Sequence, residues 1–188
     1  MTDLTERFQQ ALVFAVELHR DQRRKGTEIP YVSHLLGVAS IALEIGADED
    51  QAIAALLHDA VEDQGGAKCL EEIRDRYGDR VADIVSDCTD ADTDPKPPWR
   101  ARKNAYIASL AHKHPDSLLV SLADKTHNAR AILDDLVVHG PSLWDRFTGG
   151  REGSLWYYDE LAKAFRIHLP GAAAERLVFV VGEMHRAA

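Results

Sequence analysis

Six consecutive residues with no polar face, Ala52-Ile53-Ala54-Ala55-Leu56-Leu57, run straight into His58-Asp59-Ala60-Val61-Glu62-Asp63. A helix that is apolar all round has no side to turn toward water, so this segment has to pass through the middle of a core. Its alanines and leucines are strong helix formers. Histidine and aspartate are costly to bury without partners, and Asp59 and Asp63 fall on one helix face at i and i+4, where like charges repel. A cation at this helix end removes both costs. The plainer alternative, a solvated acidic helix end, sits poorly with the apolar run immediately before His58.

The rest of the chain reads as helices packed around that segment. Leu4, Phe8, Ala11, Leu12, Ala15 and Leu18 form the stripe of an amphipathic helix expected to run to about Arg23. Gly26 and Pro30 interrupt it, a second helical repeat covers 32–45 up to Gly46, and Asp48 is the expected N-cap of the central helix. Further helices are expected over 68–77, 79–89, 99–113, 117–138 behind the cap candidate Asp116, 152–168 behind Gly149-Gly150, and 172–186. Val178-Phe179-Val180-Val181 has strand-like composition, but no other segment alternates to pair with it, so helix is expected there too. The acidic and proline-rich stretch 90–98 is expected to be an irregular loop and a candidate lid. These patterns predict an all-α, compact multi-helix bundle, a single domain over residues 1–188.

Composition narrows the function. A formal charge of −9 argues against general nucleic-acid binding, which needs a basic surface. No apolar stretch approaches the roughly 18–20 residues that cross a bilayer, and no apolar leader opens the chain, so no membrane partner and a cytoplasmic location are expected. Cys69 and Cys88 are too few for a disulfide framework and read as ordinary small apolar residues.

Two further segments carry groups that match the His58-Asp59 pair. Tyr31-Val32-Ser33-His34-Leu35-Leu36 sets a histidine among apolar residues, and Leu118-Leu119-Val120-Ser121-Leu122-Ala123-Asp124 does the same for an aspartate. Each alone reads as a hydrogen-bonded core residue. Together they make a two-histidine, two-aspartate set suited to Mn, Fe or Zn with positions left for water and substrate, and the lack of thiolates argues against a structural zinc site.

The ordered pattern His34, His58-Asp59, Asp124 resembles the HD superfamily of metal-dependent phosphohydrolases. The stretches Gln22-Arg23-Arg24-Lys25, Pro30-Tyr31-Val32-Ser33-His34, Ala54 to Asp63, and Ser121-Leu122-Ala123-Asp124-Lys125-Thr126-His127-Asn128 are similar to the hydrolase domain of RelA/SpoT proteins and to their stand-alone small alarmone hydrolase relatives. The resemblance implies a multi-helix HD-domain bundle in which His34, His58, Asp59 and Asp124 bind Mn2+ or another divalent transition ion. It also implies that Glu62 and Asp63 manage the attacking water, with Asn128, one turn beyond Asp124, as a further catalytic candidate. The implied reaction is removal of the 3′-pyrophosphate of (p)ppGpp or a related alarmone such as (p)ppApp, without synthesis.

Arg23-Arg24-Lys25 is a dense basic cluster in an acidic chain. Taken alone it reads as a cationic helix end complementing the helix dipole. Beside a metal site it becomes a nucleotide-binding candidate through Arg24 and Lys25, since arginine both stacks on bases and grips phosphate. Lys96, Arg151 and Trp156 are weaker substrate-binding candidates, Trp156 as a base-stacking ring. Ser121 stands where the larger enzymes commonly have lysine, which leaves guanine and adenine alarmones both open. Another nucleotide (the 2′-phosphate of NADPH, or a nucleoside phosphate) and a non-catalytic nucleotide-binding HD module are the alternatives.

Overall fold

The computed structural model describes residues 2–89 and 97–188. Among them nine α-helices follow one another with no strand: α1 (Glu6–Leu18), α2 (Val32–Glu44), α3 (Glu49–Leu57), α4 (Gly66–Tyr77), α5 (Asp79–Cys88), α6 (Trp99–Ser109), α7 (Pro115–His139), α8 (Gly150–His168) and α9 (Ala172–Ala187). This is the all-α bundle that the periodicity predicts. A π-helical turn over Val61–Gly65 leads into α4, and 3-10 turns over Leu110–His112 and Gly140–Arg146 flank α7. No helix among the described residues is long and apolar enough to cross a membrane.

Every residue from Gln51 to Leu57 is buried, as a helix without a polar face requires. Its start is fixed by a capping box in which Asp48 Oδ1 accepts from the Gln51 amide at 3.0 Å and Gln51 Oε1 accepts from the Asp48 amide at 2.8 Å. Helices α1 to α5 close around α3 in a first apolar cluster that includes Phe14, Leu35, Ile53, Leu57 and Val85. Helices α6, α8 and α9 build a second around Leu161, Phe165, Leu177 and Met184. Helix α7 serves both, giving Val120 and Ala123 to the first and Leu118, Leu122 and Ile132 to the second. With 25 residues it is about 37 Å long, so Asp124 is carried where the two clusters meet.

Two expected boundaries are corrected. Helix α1 ends at Leu18 rather than Arg23, and residues 19–31 form a hairpin in which the Arg24 amide donates to Ile29 O at 2.9 Å and the Tyr31 amide to Gln22 O at 3.0 Å. Gly26, at φ 73°, supplies the turn. The Arg23-Arg24-Lys25 cluster therefore rides on a hairpin, not on a helix end. Asp116 does not cap α7. Pro115 opens that helix, which suits a residue with no amide hydrogen to satisfy, and the His114 ring accepts from the Asp116 amide at 3.3 Å. The Asp116 carboxylate instead accepts from Gln51 Nε2 at 3.0 Å and from Arg80 Nε at 2.9 Å, joining α7 to α3 and α5. Val178 to Val181 lie within α9, as expected. Most of the 90–98 stretch, with Lys96, lies outside the described residues.

Candidate metal centre and active site

Four side chains from three parts of the fold meet at the junction of the clusters. His34 stands in the first turn of α2, His58 and Asp59 just past the end of α3, and Asp124 on α7; His34, His58 and Asp124 are buried and Asp59 is half-buried. His34, His58 and Asp59 each offer a ligand atom, all within 4.8 Å of one another. Asp124 Oδ1 lies 3.3 Å from His34 Nε2 and 3.6 Å from His58 Nε2.

The hydrogen bonding decides what belongs between them. His58 Nδ1 is 2.9 Å from Ala55 O, and a carbonyl can only accept, so the ring proton sits on Nδ1 and the neutral imidazole turns the lone pair of Nε2 inward. That buried Nε2 is 3.0 Å from Asp59 Oδ2 yet makes no aligned hydrogen bond. A lone pair facing carboxylate oxygens is repelled unless a cation or a proton lies between. Protons answer this in the titration behaviour: burial pulls the His58 pKa down, but Asp59 and Asp124 outweigh it and hold it well above the ordinary histidine range. The two carboxyls, which burial alone would raise, are held well below the usual range, Asp59 by His58 and His34, and Asp124 by Lys125 and the same histidines. Two imidazole nitrogens and two carboxylate oxygens converging this way fit a divalent cation.

A surrounding layer fixes each donor. The Tyr31 hydroxyl donates to Asp59 Oδ2 at 2.6 Å, and burial and that carboxylate push its pKa far up, so it stays a donor. Lys125 Nζ donates to Asp124 Oδ2 at 2.6 Å and lies 4.6 Å from the Tyr106 ring centroid. Burial opposes its charge, but Asp124 more than restores it. Asn128 Nδ2 donates to Asp124 Oδ1 at 2.5 Å while its own Oδ1 accepts from Arg24 Nη2 at 2.9 Å. His34 Nδ1 meets His127 Nδ1 at 2.9 Å. Burial, with His34 and Arg24 nearby, pushes the His127 pKa down to about 4, so it is neutral at pH 7.

The remaining sequence candidates divide. The Asp63 amide still donates to Asp59 O at 3.0 Å, but the carboxylates diverge: Asp59 faces the histidines and Asp63 Oδ2 accepts from Gln22 Nε2 at 2.8 Å. Desolvation and the neighbouring acids raise the Asp63 pKa against the pull of Gln22. Glu62 is half-buried in the π-helical turn, a local widening often found at functional sites. Arg24 is half-buried on the hairpin, 5.8 Å from the Tyr31 ring centroid, and Lys25 is exposed beside it. Two others engage elsewhere. The Arg100 guanidinium lies 3.1 Å over the Trp156 ring, and Arg151 Nε donates to Ala188 O at 3.2 Å.

Tyr31, Gln22, Lys125 and His127 all lie inside the motif segments, yet sequence reasoning assigned them no task. The available signals were spacing and an anomaly. His127 falls one turn beyond Asp124, and Gly37 interrupts an otherwise sound helix one turn beyond His34.

Fold and site define the class of this protein. The HD-domain family matches residues 11–154, and the chain belongs to that family, which is one that implies a divalent metal. Over 124 residues it is 43% identical to guanosine-3′,5′-bis(diphosphate) 3′-pyrophosphohydrolase MESH1 of Xenopus tropicalis, a match covering 64% of this chain and 66%, just under two thirds, of that one. The Drosophila melanogaster protein of the same name is 37% identical over 142 residues, covering 73% of this chain and 74% of that one. The fold is similar to a solved structure described as a metazoan ortholog of SpoT that hydrolyzes ppGpp, with a TM-score of 0.77, 30% identity, and coverage of 99% of this chain and 97% of that one.

Proposed function

We propose that this chain is a metal-dependent pyrophosphohydrolase that removes the 3′-pyrophosphate of guanosine-3′,5′-bis(diphosphate) or a related alarmone such as (p)ppApp, with Mn2+ held by His34, His58, Asp59 and Asp124. The observation that carries this reading is the meeting of the His58 Nε2 lone pair with carboxylate oxygens in a buried pocket, one hydrogen-bond chain away from Arg24 on a cationic hairpin. Relatives named for this hydrolysis support the substrate.

In the reaction, a water oxygen bonds to the phosphorus attached to the 3′ oxygen, the bond from that phosphorus to the 3′ oxygen breaks, pyrophosphate leaves, and the 3′ oxygen gains a proton. A divalent cation held by His34, His58, Asp59 and Asp124 would lower the pKa of water and offset charge on the phosphoryl oxygens. Asp63, its pKa raised by desolvation and the neighbouring acids and its carboxylate steadied by Gln22, takes the proton of the attacking water, and Glu62 orients that water. Asn128 holds Asp124 in place while sharing its carbonyl with Arg24. Arg24 and Lys25 hold the nucleotide.

The test is release of pyrophosphate and phosphate from guanosine and adenosine alarmones, NADPH and ordinary nucleotides, with Mn2+ and with chelator. Pyrophosphate from the alarmones alone, and only with metal, is expected, and the ratio between the two bases gives the preference. Phosphate from NADPH or a nucleoside phosphate would assign a different substrate, and silence throughout would leave a nucleotide-binding module. Asp59→Ala should abolish turnover and Mn2+ uptake together; full activity in that variant would sink the metal assignment. Arg24→Ala and Lys25→Ala should raise KM more than they lower kcat, and an unchanged KM in both would remove them from the nucleotide site.

A further inference from the structure

The two histidines at the centre face the same requirement. For Nε2 to offer a lone pair inward, the ring proton has to sit on Nδ1, and a buried Nδ1–H needs an acceptor. His58 has one from the backbone, the carbonyl of Ala55 at 2.9 Å. His34 Nδ1 is instead 2.9 Å from a side chain, Nδ1 of His127 on α7. Two ring nitrogens share a hydrogen bond only when one carries the proton and the other a lone pair. With His34 as donor, His127 has to be the neutral tautomer protonated on Nε2, the nitrogen on the far side of its ring.

Gly37 shows how that ring is accommodated. It stands inside α2, between Leu36 and Val38, although glycine is the poorest helix former after proline. A Cβ built on Gly37 would collide with Cδ2 and Nε2 of His127, closer than side-chain contacts allow. The missing side chain is therefore the space in which the His127 ring lies, with ring centroids of His34 and His127 4.8 Å apart. Both Gly37 and His34 belong to α2, so the glycine sets how closely α7 brings the acceptor to the ligand.

We propose that His127, seated over Gly37, is a positioning residue for the metal site: it accepts the Nδ1 proton of His34 and so fixes the tautomer that presents Nε2 to the cation. This rests on the metal reading above. It differs from a packing role in a way two substitutions separate. His127→Asn keeps an acceptor where Nδ1 stands and loses the ring; His127→Phe keeps the ring and loses the acceptor.

The experiment is titration of the metal-free chain with Mn2+, the fold of each variant being checked by far-ultraviolet circular dichroism. His127→Asn should stay within about twofold of the unsubstituted affinity and His127→Phe should weaken it about tenfold or more, the scale on which outer-layer partners act. Proton–nitrogen correlation spectra of the histidine rings should show the His34 proton on Nδ1 in the unsubstituted and Asn forms and not in the Phe form. Gly37→Ala should weaken Mn2+ binding as the Phe variant does, and should add little to the cost of His127→Ala, which removes the atoms a Gly37 Cβ would meet. Binding kept by Phe and lost by Asn would make the contact mere packing and overturn the proposal, as would an equal cost of Gly37→Ala in both backgrounds. No Mn2+ uptake by the unsubstituted chain would overturn the metal reading itself.

Discussion

Asp59 is steadied by a phenol. Its Oδ2 accepts from the Tyr31 hydroxyl at 2.6 Å, while the Tyr31 ring stacks on His19 with centroids 5.3 Å apart. Tyr31→Phe keeps the ring and its stacking and removes only the donor, a bond to a charged acceptor worth about 1.5–3 kcal/mol. Mn2+ affinity, read by titration, is expected to fall about tenfold with little loss of helix content; unchanged affinity would show that Asp59 is held by its other neighbours. At this scale the four central donors were legible because each is a costly polar group inside an apolar run. Their supports were not. His34 and His127 are 93 residues apart in sequence, and nothing local in either segment announces that pairing.

Helix ends are where charge and backbone meet most directly. Asp48 caps α3 and also pairs with Arg80 of α5 at 2.7 Å. Desolvation pushes its pKa up, but Arg80 and the Gln51 amide outweigh that, and the folded value lies below the ordinary one. A carboxyl with a depressed folded pKa stabilises above its unfolded pKa, about 3.9, and loses that contribution as pH falls through the folded value. Asp48→Ala should therefore cost about 1 kcal/mol at pH 7 in urea unfolding, and the gap from the unsubstituted chain should shrink below about pH 4. A gap independent of pH would mean that the cap acts without its charge. Most elements were readable because stripe and cap agreed, as at Asp48. The exceptions share a cause: residues 19–31 fold back through hairpin pairing of the backbone, and the Val61–Gly65 turn is wider than an α-helical one, so helical periodicity alone could find neither.

For the molecule as a whole, α7 is the shared wall of two apolar clusters. All three tryptophans lie in or against the second, whereas Leu57 is fully buried in the first. Leu57→Ala should cost about 2–5 kcal/mol, and because both clusters share α7, the unfolding midpoint by tryptophan fluorescence should move with that by circular dichroism. A fluorescence transition left in place would divide the chain into two units. The hairpin of residues 19–31 spans this same junction: it reaches Asp63 through Gln22, Asp59 through Tyr31, and Asp124 through Arg24 and Asn128. Under the proposed function, a nucleotide that engages Arg24 would act on a carboxylate belonging to the cation's donor set, and the two ligands would not be bound independently. By thermodynamic reciprocity, whatever factor the ion contributes to nucleotide affinity, the nucleotide returns to the ion, and the chain would hold its metal most firmly while substrate is present.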